Sequence, residues 1–506
     1  MKRAVEAEHT AEQAEAPSAQ PCVEQADKHH AYDAIGVAYE GQRRAFEAMP
    51  YPSRATRKAT LSRLRQAIRK HAHDCAQAAC DDFGVRAKEE TWLVDLLPSL
   101  LHIDHVRRRL GRWMRASRRS TELLFKTNRA SVQYQPKGVV GIVVPWNFPY
   151  YLALGPLATA LAAGNRCMIK TSECAPHASR ALRALLRDVC DETEVVVIEG
   201  DVECAKRFCS LPFDHLVFTG SPAVGREVMH AAAENLTPVT LELGGKSPAV
   251  VSRSAVLSIA TRRIVHGKLT NAGQVCVAPD YAFVPREAIQ AFCLEARKAY
   301  DALAGDGAAT TSMIDARGYN RMLALLDDAR SKGATIIECG AQRPASRQLP
   351  LYIVTGVTPR MRIAREELFG PILPVLAYDA FDDALDAIRC GERPLALYYF
   401  GHDRDERQRI LRETHAGGVT FNDWGWHVIN HDLPFGGSGT SGMGNYHGEE
   451  GFRELSHAKA VFDEHRWFPI ERFHPPHGNC VQRFVLRWYF GRDAHKTRDA
   501  WPTHGE

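Results

Sequence analysis

Val139-Val140-Gly141-Ile142-Val143-Val144, followed by Pro145-Trp146-Asn147-Phe148-Pro149, decides the fold. Six near-continuous apolar positions predict a strand buried on both faces, as in a parallel sheet. The two prolines end it. A small-residue helix is expected from about Leu152 to Ala163, stopped by Gly164-Asn165. Cys167 to Lys170 reads as the next strand and His177 to Val189 as a helix, with further strands at Val195 to Ile198 and His215 to Phe218. Repeated strand–helix–strand units predict an α/β fold with a doubly wound, Rossmann-like sheet and ligands at the strands' carboxyl ends. Asn147, Lys170 and Thr219 follow strand ends and are candidate cleft residues.

Working outward, residues 1–34 are rich in Ala, Glu and Gln without periodic hydrophobics and read as a disordered leader. Leu61, Leu64, Ile68, Ala72 and Cys75 mark an amphipathic helix ending near Gly84. Trp92 to Leu101 forms a second, kinked or broken around Pro98, and Ser131 to Gln135 alternates like a half-exposed strand. A second α/β segment spans about 247–421, with a helix over Tyr319 to Ala329. A glycine-rich loop runs from Leu433 to Gly451, and a last strand at Lys459 to Phe462 is placed to pair with the Ser131 strand. The boundaries expected are a cofactor domain over 35–243 with a bridging strand at about 129–138, and a catalytic domain over 244–421. Residues 422–465 return to the first domain and the bridging strand, and 466–506 form a tail. Its Phe484, Trp488 and Tyr489 with Arg483 and Arg487 predict a short basic amphipathic helix. Docking on its own subunit or a partner is favoured over a membrane surface.

At 506 residues the chain suits two to three domains. A net charge of +4 is too small to mark a nucleic-acid binder. The start of the chain has basic residues but no apolar stretch like that of a signal peptide, which points to the cytoplasm. Thirteen cysteines without a CxxC pair argue against a disulfide framework. His71-Ala72-His73-Asp74-Cys75 lacks a second ligand pair at zinc-like spacing, so no metal is expected.

Two motifs carry chemistry. Phe218-Thr219-Gly220-Ser221 through Gly225 follows a strand and opens a helix, where free amides attract a pyrophosphate. Without the GxGxxG pattern a plain strand–helix turn stays open. Lys170 and Glu173 could hold ribose hydroxyls, or form an exposed ion pair. Asn271-Ala272-Gly273-Gln274-Val275-Cys276 puts a cysteine in a polar, glycine-containing turn. Cys276 is a nucleophile there or a buried structural thiol. A nucleophilic thiol needs a base, and Glu242 beside Gly244-Gly245 is the candidate; its alternative is a salt bridge with Lys246.

Together with Glu367-Leu368-Phe369-Gly370-Pro371, these motifs resemble the aldehyde dehydrogenase superfamily over about Tyr51 to Phe462. Arg393-Pro394-Leu395-Ala396-Leu397-Tyr398 and His447-Gly448 resemble its class 3 branch, and Asn271 to Tyr281 and Asp82-Phe83-Gly84 to Trp113-Met114 resemble coniferyl aldehyde dehydrogenases. The resemblance implies a Rossmann-like cofactor domain, an α/β catalytic domain and a small oligomerisation hairpin, with a homodimer as the assembly. It implies oxidation of an aldehyde, aromatic such as coniferyl aldehyde, through a thiohemiacetal and thioester on Cys276. Asn147 would stabilise the oxyanion and Glu242 activate water. Lys170, Glu173, Gly220, Ser221, Gly225, Glu367, Phe369 and Trp146 would meet NAD, or NADP. Alternatives are an aliphatic aldehyde substrate, or an acyl-transferring or hydrolytic thiol enzyme. Trp424 and Trp426 would face an aromatic substrate or pack in the core.

Overall fold

The computed structural model describes residues 20–305 and 310–491, with side chains from residue 34. Val139–Val143 is the central strand of a six-stranded sheet. The order is Gly442–Met443, Val239–Leu243, His215–Gly220, Val139–Val143, Arg166–Lys170, Val195–Ile198. All neighbours are parallel except the short Gly442–Met443 strand, which runs against Val239–Leu243. The chain first moves outward on one side of Val139–Val143, then jumps back to His215–Gly220 on the other. That reversal opens a crevice at the carboxyl ends of the two central strands, and Asn147 and Thr219 follow or end those strands.

The intervening helices match their sequence signals. Tyr151–Ala163 is buried along its length and stops at Gly164, whose φ of 95° is left-handed. Arg54–Phe83 starts at Ser53, which caps the Thr56 amide, and ends at Gly84. The break expected around Pro98 is a π-helical turn over Trp92–Leu96, so Pro98 sits in the first turn of Leu97–Trp113, where its missing N–H costs little.

A seven-stranded sheet runs Thr335–Glu338, Tyr352–Thr355, Ile372–Tyr378, Tyr281–Pro285, Pro248–Val251, Ala396–Phe400, Gly418–Phe421. It is parallel except at its first pair. The first nineteen residues of the expected leader lie outside the described residues. From Gln20 the chain is helical to Ala48, a correction to that expectation. The helix is anchored where Ile35 and Tyr39 bury into the core and Gln42 donates to the carbonyls of Cys167 and Glu192.

By contact pattern, residues 114–134 and the described residues from 458 onward form a unit of their own. The strands Ser117–Arg119, Arg129–Pro136 and Ser456–Asp463 make one three-stranded sheet, so the late strand does neighbour the Ser131 strand. The tail helix is Cys480–Phe490, capped by Asn479, with Phe484, Trp488 and Tyr489 exposed. Arg492 onward lies outside the described residues.

Candidate active site

The nucleophile turn begins where the helix Leu257–Leu269 ends. Asn271, Ala272 and Gly273 all take left-handed backbone, with φ of 49°, 52° and 73°. For an alanine this costs about 1–2 kcal/mol, so other contacts must hold the turn. The Asn271 amide donates to Glu90 Oε1 at 2.6 Å. Asn271 Nδ2 donates to the carbonyls of Asn147 and Gln274, both at 3.1 Å. Gln274 Nε2 donates to Asn271 O and Ser312 O, and its Oε1 accepts from Ile314 N. A Cβ on Gly273 would come within 2.5 Å of the Gly370 carbonyl oxygen, so only glycine allows the close approach. This frame presents Cys276, which is half-buried.

Asn147, 2% exposed, donates from Nδ2 to the Gln274 carbonyl at 3.1 Å, tying the Pro145–Pro149 break to the nucleophile turn. Its own carbonyl accepts from Arg86 Nη1 at 3.1 Å, and the same Arg86 atom donates to Asn271 Oδ1. Arg86 is buried and lies over the rings of Phe83 and Phe148.

Glu242 lies on the strand Val239–Leu243, in register with Thr219 on one side and Gly442 on the other. It is 1% exposed, and neither carboxylate oxygen has a hydrogen-bond partner of good geometry, although Cys276 and Thr219 face it. Burial pushes its pKa up to about 7. The Cys276 thiol is pushed well above its usual range, first by burial and then by the charge of Glu242. Lys246 is not Glu242's partner: it pairs with Asp280 and donates to the carbonyls of Ile363 and Glu366. Asp280 in turn accepts from the Leu368 amide, which fixes the Glu367-Leu368-Phe369 turn.

Lys170 is buried and donates to the carbonyls of Thr171 and Gly200 at 2.6 and 2.9 Å, so it is no exposed ion pair with Glu173. Glu173 is exposed. Ser221, also exposed, caps the helix Pro222–Ala233, which has no acidic residue in its first turn. Gly220 ends the strand before it. At Gly225 a Cβ would meet Leu243 Cδ2 at 2.8 Å, so this glycine serves the packing of helix on strand. Glu367 is half-buried, its pKa raised to about 8 by burial and Asp280. Phe369, with φ of 50°, lies edge-on to Trp146 with ring centroids 5.6 Å apart. An open helix start free of acids, with exposed hydroxyl and carboxylate nearby, suits a dinucleotide.

Arg86, Glu90 and three buried tyrosines escaped the sequence reading. Tyr151, Tyr398 and Tyr446 are buried close to Cys276, and the Tyr398 hydroxyl donates to the Val277 carbonyl. They sit on separate elements with no shared spacing, and although Tyr398 ends the Arg393–Tyr398 stretch, nothing local marks it as a neighbour of Cys276. Trp424 is half-buried, donating to His266 Nδ1 at 2.9 Å, whereas Trp426 is 56% exposed and outside any core. The His71–Cys75 stretch gathers no ligands: His71 pairs with Asp188 at 2.8 Å, and Cys75 is fully buried.

The sequence model of the aldehyde dehydrogenase family matches residues 6–461. The chain belongs to this family. Among its relatives is a probable coniferyl aldehyde dehydrogenase of Pseudomonas aeruginosa, 46% identical over 90% of this chain and 96% of the relative. A coniferyl aldehyde dehydrogenase of a Pseudomonas species is 43% identical over 79% of this chain and 85% of its own. The substrate-bound AldH structure from Staphylococcus aureus superposes with a TM-score of 0.84, at 32% identity, covering 90% of this chain and 99% of that one. The α/β fold read from the sequence is the family's, and this aldehyde dehydrogenase is an NAD(P)-dependent oxidoreductase. Among the described residues, no helix is long and apolar enough to cross a membrane.

Proposed function

We propose that this aldehyde dehydrogenase oxidises an aromatic aldehyde of the coniferyl type, with Cys276 as nucleophile, Asn147 as oxyanion donor and Glu242 as base. The observation that carries the reading is Glu242, fully enclosed, facing Cys276 and Thr219 with neither oxygen tied by a hydrogen bond of good geometry. A carboxyl held near pKa 7 exchanges protons at neutral pH and suits general-base work.

Glu242 first takes the proton of the Cys276 thiol, directly or through water, and the sulfur forms a bond to the aldehyde carbon. The C=O electron pair moves onto oxygen. The second Nδ2 hydrogen of Asn147 and the Cys276 amide stabilise that charge, and Arg86 and Asn271 position the Asn147 backbone. NAD(P)+, when bound, supplies the acceptor for the hydride that leaves this carbon. The product on the enzyme is a Cys276 thioester. Once the thiol proton has passed from Glu242 to solvent, the free carboxylate removes a proton from water as its oxygen attacks the carbonyl; the C–S bond then breaks, the acid leaves, and Glu242 returns that proton to the sulfur to restore the thiol.

For the cofactor, the start of Pro222–Ala233 with Gly220 and Ser221 would take the pyrophosphate, and Glu173 and Lys170 the adenine ribose. Glu367 would take the nicotinamide ribose, with Phe369 and Trp146 beside it. Glu173 favours a 2′-hydroxyl over a 2′-phosphate, hence NAD over NADP. The aromatic substrate class rests on the coniferyl relatives and on Tyr151, Tyr398 and Tyr446 around the site. A homodimer joined through the three-stranded sheet fits the exposed strand Ser456–Asp463, and a cytoplasmic location fits a reactive thiol among free cysteines.

The test is NADH production from coniferyl aldehyde and from a saturated aliphatic aldehyde of similar length. A kcat/KM at least tenfold higher for coniferyl aldehyde is expected. Equal values would remove the substrate reading, and undiminished turnover by Cys276→Ala would remove the mechanism.

A further inference from the structure

Three histidines from distant parts of the chain meet beside Tyr151. His102 lies on Leu97–Trp113, His431 follows the short helix Trp426–Ile429, and His447 precedes Gly448–Glu454. All three are buried, His102 and His447 completely. Their ring centroids are 4.9, 5.0 and 5.4 Å apart, and one ring nitrogen from each lies within 4.8 Å of the other two. Among the described residues, this is the one such gathering of metal-ligating side chains.

The hydrogen bonds settle which nitrogens are spare. The Thr159 hydroxyl has one proton, and its neighbours at Tyr446 O (2.8 Å) and Gly155 O (3.3 Å) can only accept it. Thr159 therefore accepts from His102 Nε2–H at 3.0 Å, which leaves His102 Nδ1 with a bare lone pair. The Tyr151 hydroxyl engages Val428 O and His447 Nε2, both at 3.3 Å, and leaves His447 Nδ1 outside any bond. Neither ring nitrogen of His431 has a partner of good geometry. Each ring thus carries at least one buried nitrogen without a partner of good geometry, although the carbonyls of Gly155, Pro98 and Val428 lie near His102, His431 and His447. Unsatisfied buried polar atoms are costly and uncommon.

We propose that His102, His431 and His447 form an imidazole-only site for a first-row divalent cation of the zinc class. Neutral imidazole nitrogens are the donors such ions take, at about 2.0–2.1 Å, so the rings would draw in around the ion. Thr159 and Tyr151 would hold the outer nitrogens, the arrangement that orients metal-binding imidazoles. The ion would be structural. It would join the helix Leu97–Trp113 to both ends of the glycine-rich segment and, through Tyr151, to the helix that follows Asn147.

The test uses full-length protein in a Cys276→Ala background, stripped with chelator, then titrated with Zn²⁺ by calorimetry and with Co²⁺ by visible absorption. One equivalent per chain is expected, with the ligand-field bands of nitrogen-bound Co²⁺ and no thiolate charge-transfer band. Thr159→Val, which removes the acceptor of His102 Nε2–H together with the bond to the Tyr446 carbonyl, should weaken binding about 10–100-fold, and His431→Gln by more. Absence of stoichiometric uptake overturns the proposal. So does a thiolate band, or uptake unchanged in His431→Gln. The unsubstituted histidine cluster decides the matter alone if His431→Gln does not fold.

Discussion

The turn that carries Cys276 and the phosphate-side loop belong to different sheets and are built by opposite rules. Around Asn271–Cys276 nearly every polar group of the turn is tied down, through Glu90, Arg86, Asn147 and Ser312. Around Gly220–Gly225 the helix start is exposed and only Ser221 caps it, with a long 3.4 Å bond to Val224. A developing oxyanion gains most from donors that are already fixed. A cofactor that must enter and leave gains from amides that are still free.

The contrast predicts that equal truncations cost far more on the first side. Asn147→Ala should lower kcat by about 10²–10³, the usual effect of losing an oxyanion donor, with the KM for NAD little changed. Steady-state kinetics check this, and a pure KM effect would contradict it. Arg86→Met should come next, lowering kcat about tenfold or more and reducing Tm, because it frees the Asn147 carbonyl and Asn271 Oδ1 together. Arg86→Lys should restore part of the kcat.

Glu242 separates the two sides by pH. Its folded pKa of about 7 lies above its unfolded value of about 4.3. Its contribution to stability is therefore present below pH 4 and lost as pH rises through 7. Glu242→Gln should be more stable than the parent at pH 8, by about 1–3 kcal/mol, with the gap closing by pH 4. Thermal melts across that range measure it, and parallel curves would refute it. The smallest effect is expected at Ser221→Ala, a rise of a few-fold in the KM for NAD with kcat unchanged. A large loss of kcat there would erase the distinction between the two regions.

The parallel sheet was legible because Val139–Val143 and its neighbours are short apolar runs punctuated by glycine and proline. Cys276, Glu242 and Asn147 could be singled out as candidates because each sits in a distinctive local motif. The turn's rigidity was not, since Arg86 and Glu90 reach it from a distant segment. Nor was the histidine cluster, whose members share no spacing. The Lys246 alternative for Glu242 failed for a physical reason: Asp280 and two carbonyls hold that ammonium elsewhere.

The central claim is that Cys276 carries the acyl group and Glu242 hydrolyses it. Glu242→Gln mixed with NAD and coniferyl aldehyde, followed by stopped flow and intact-protein mass spectrometry, tests it most directly. The account predicts a burst of about one NADH per site, a steady state slower by about 10²–10⁴, and an acyl adduct that is absent when Cys276 is alanine. A single slow phase without burst or adduct would contradict it.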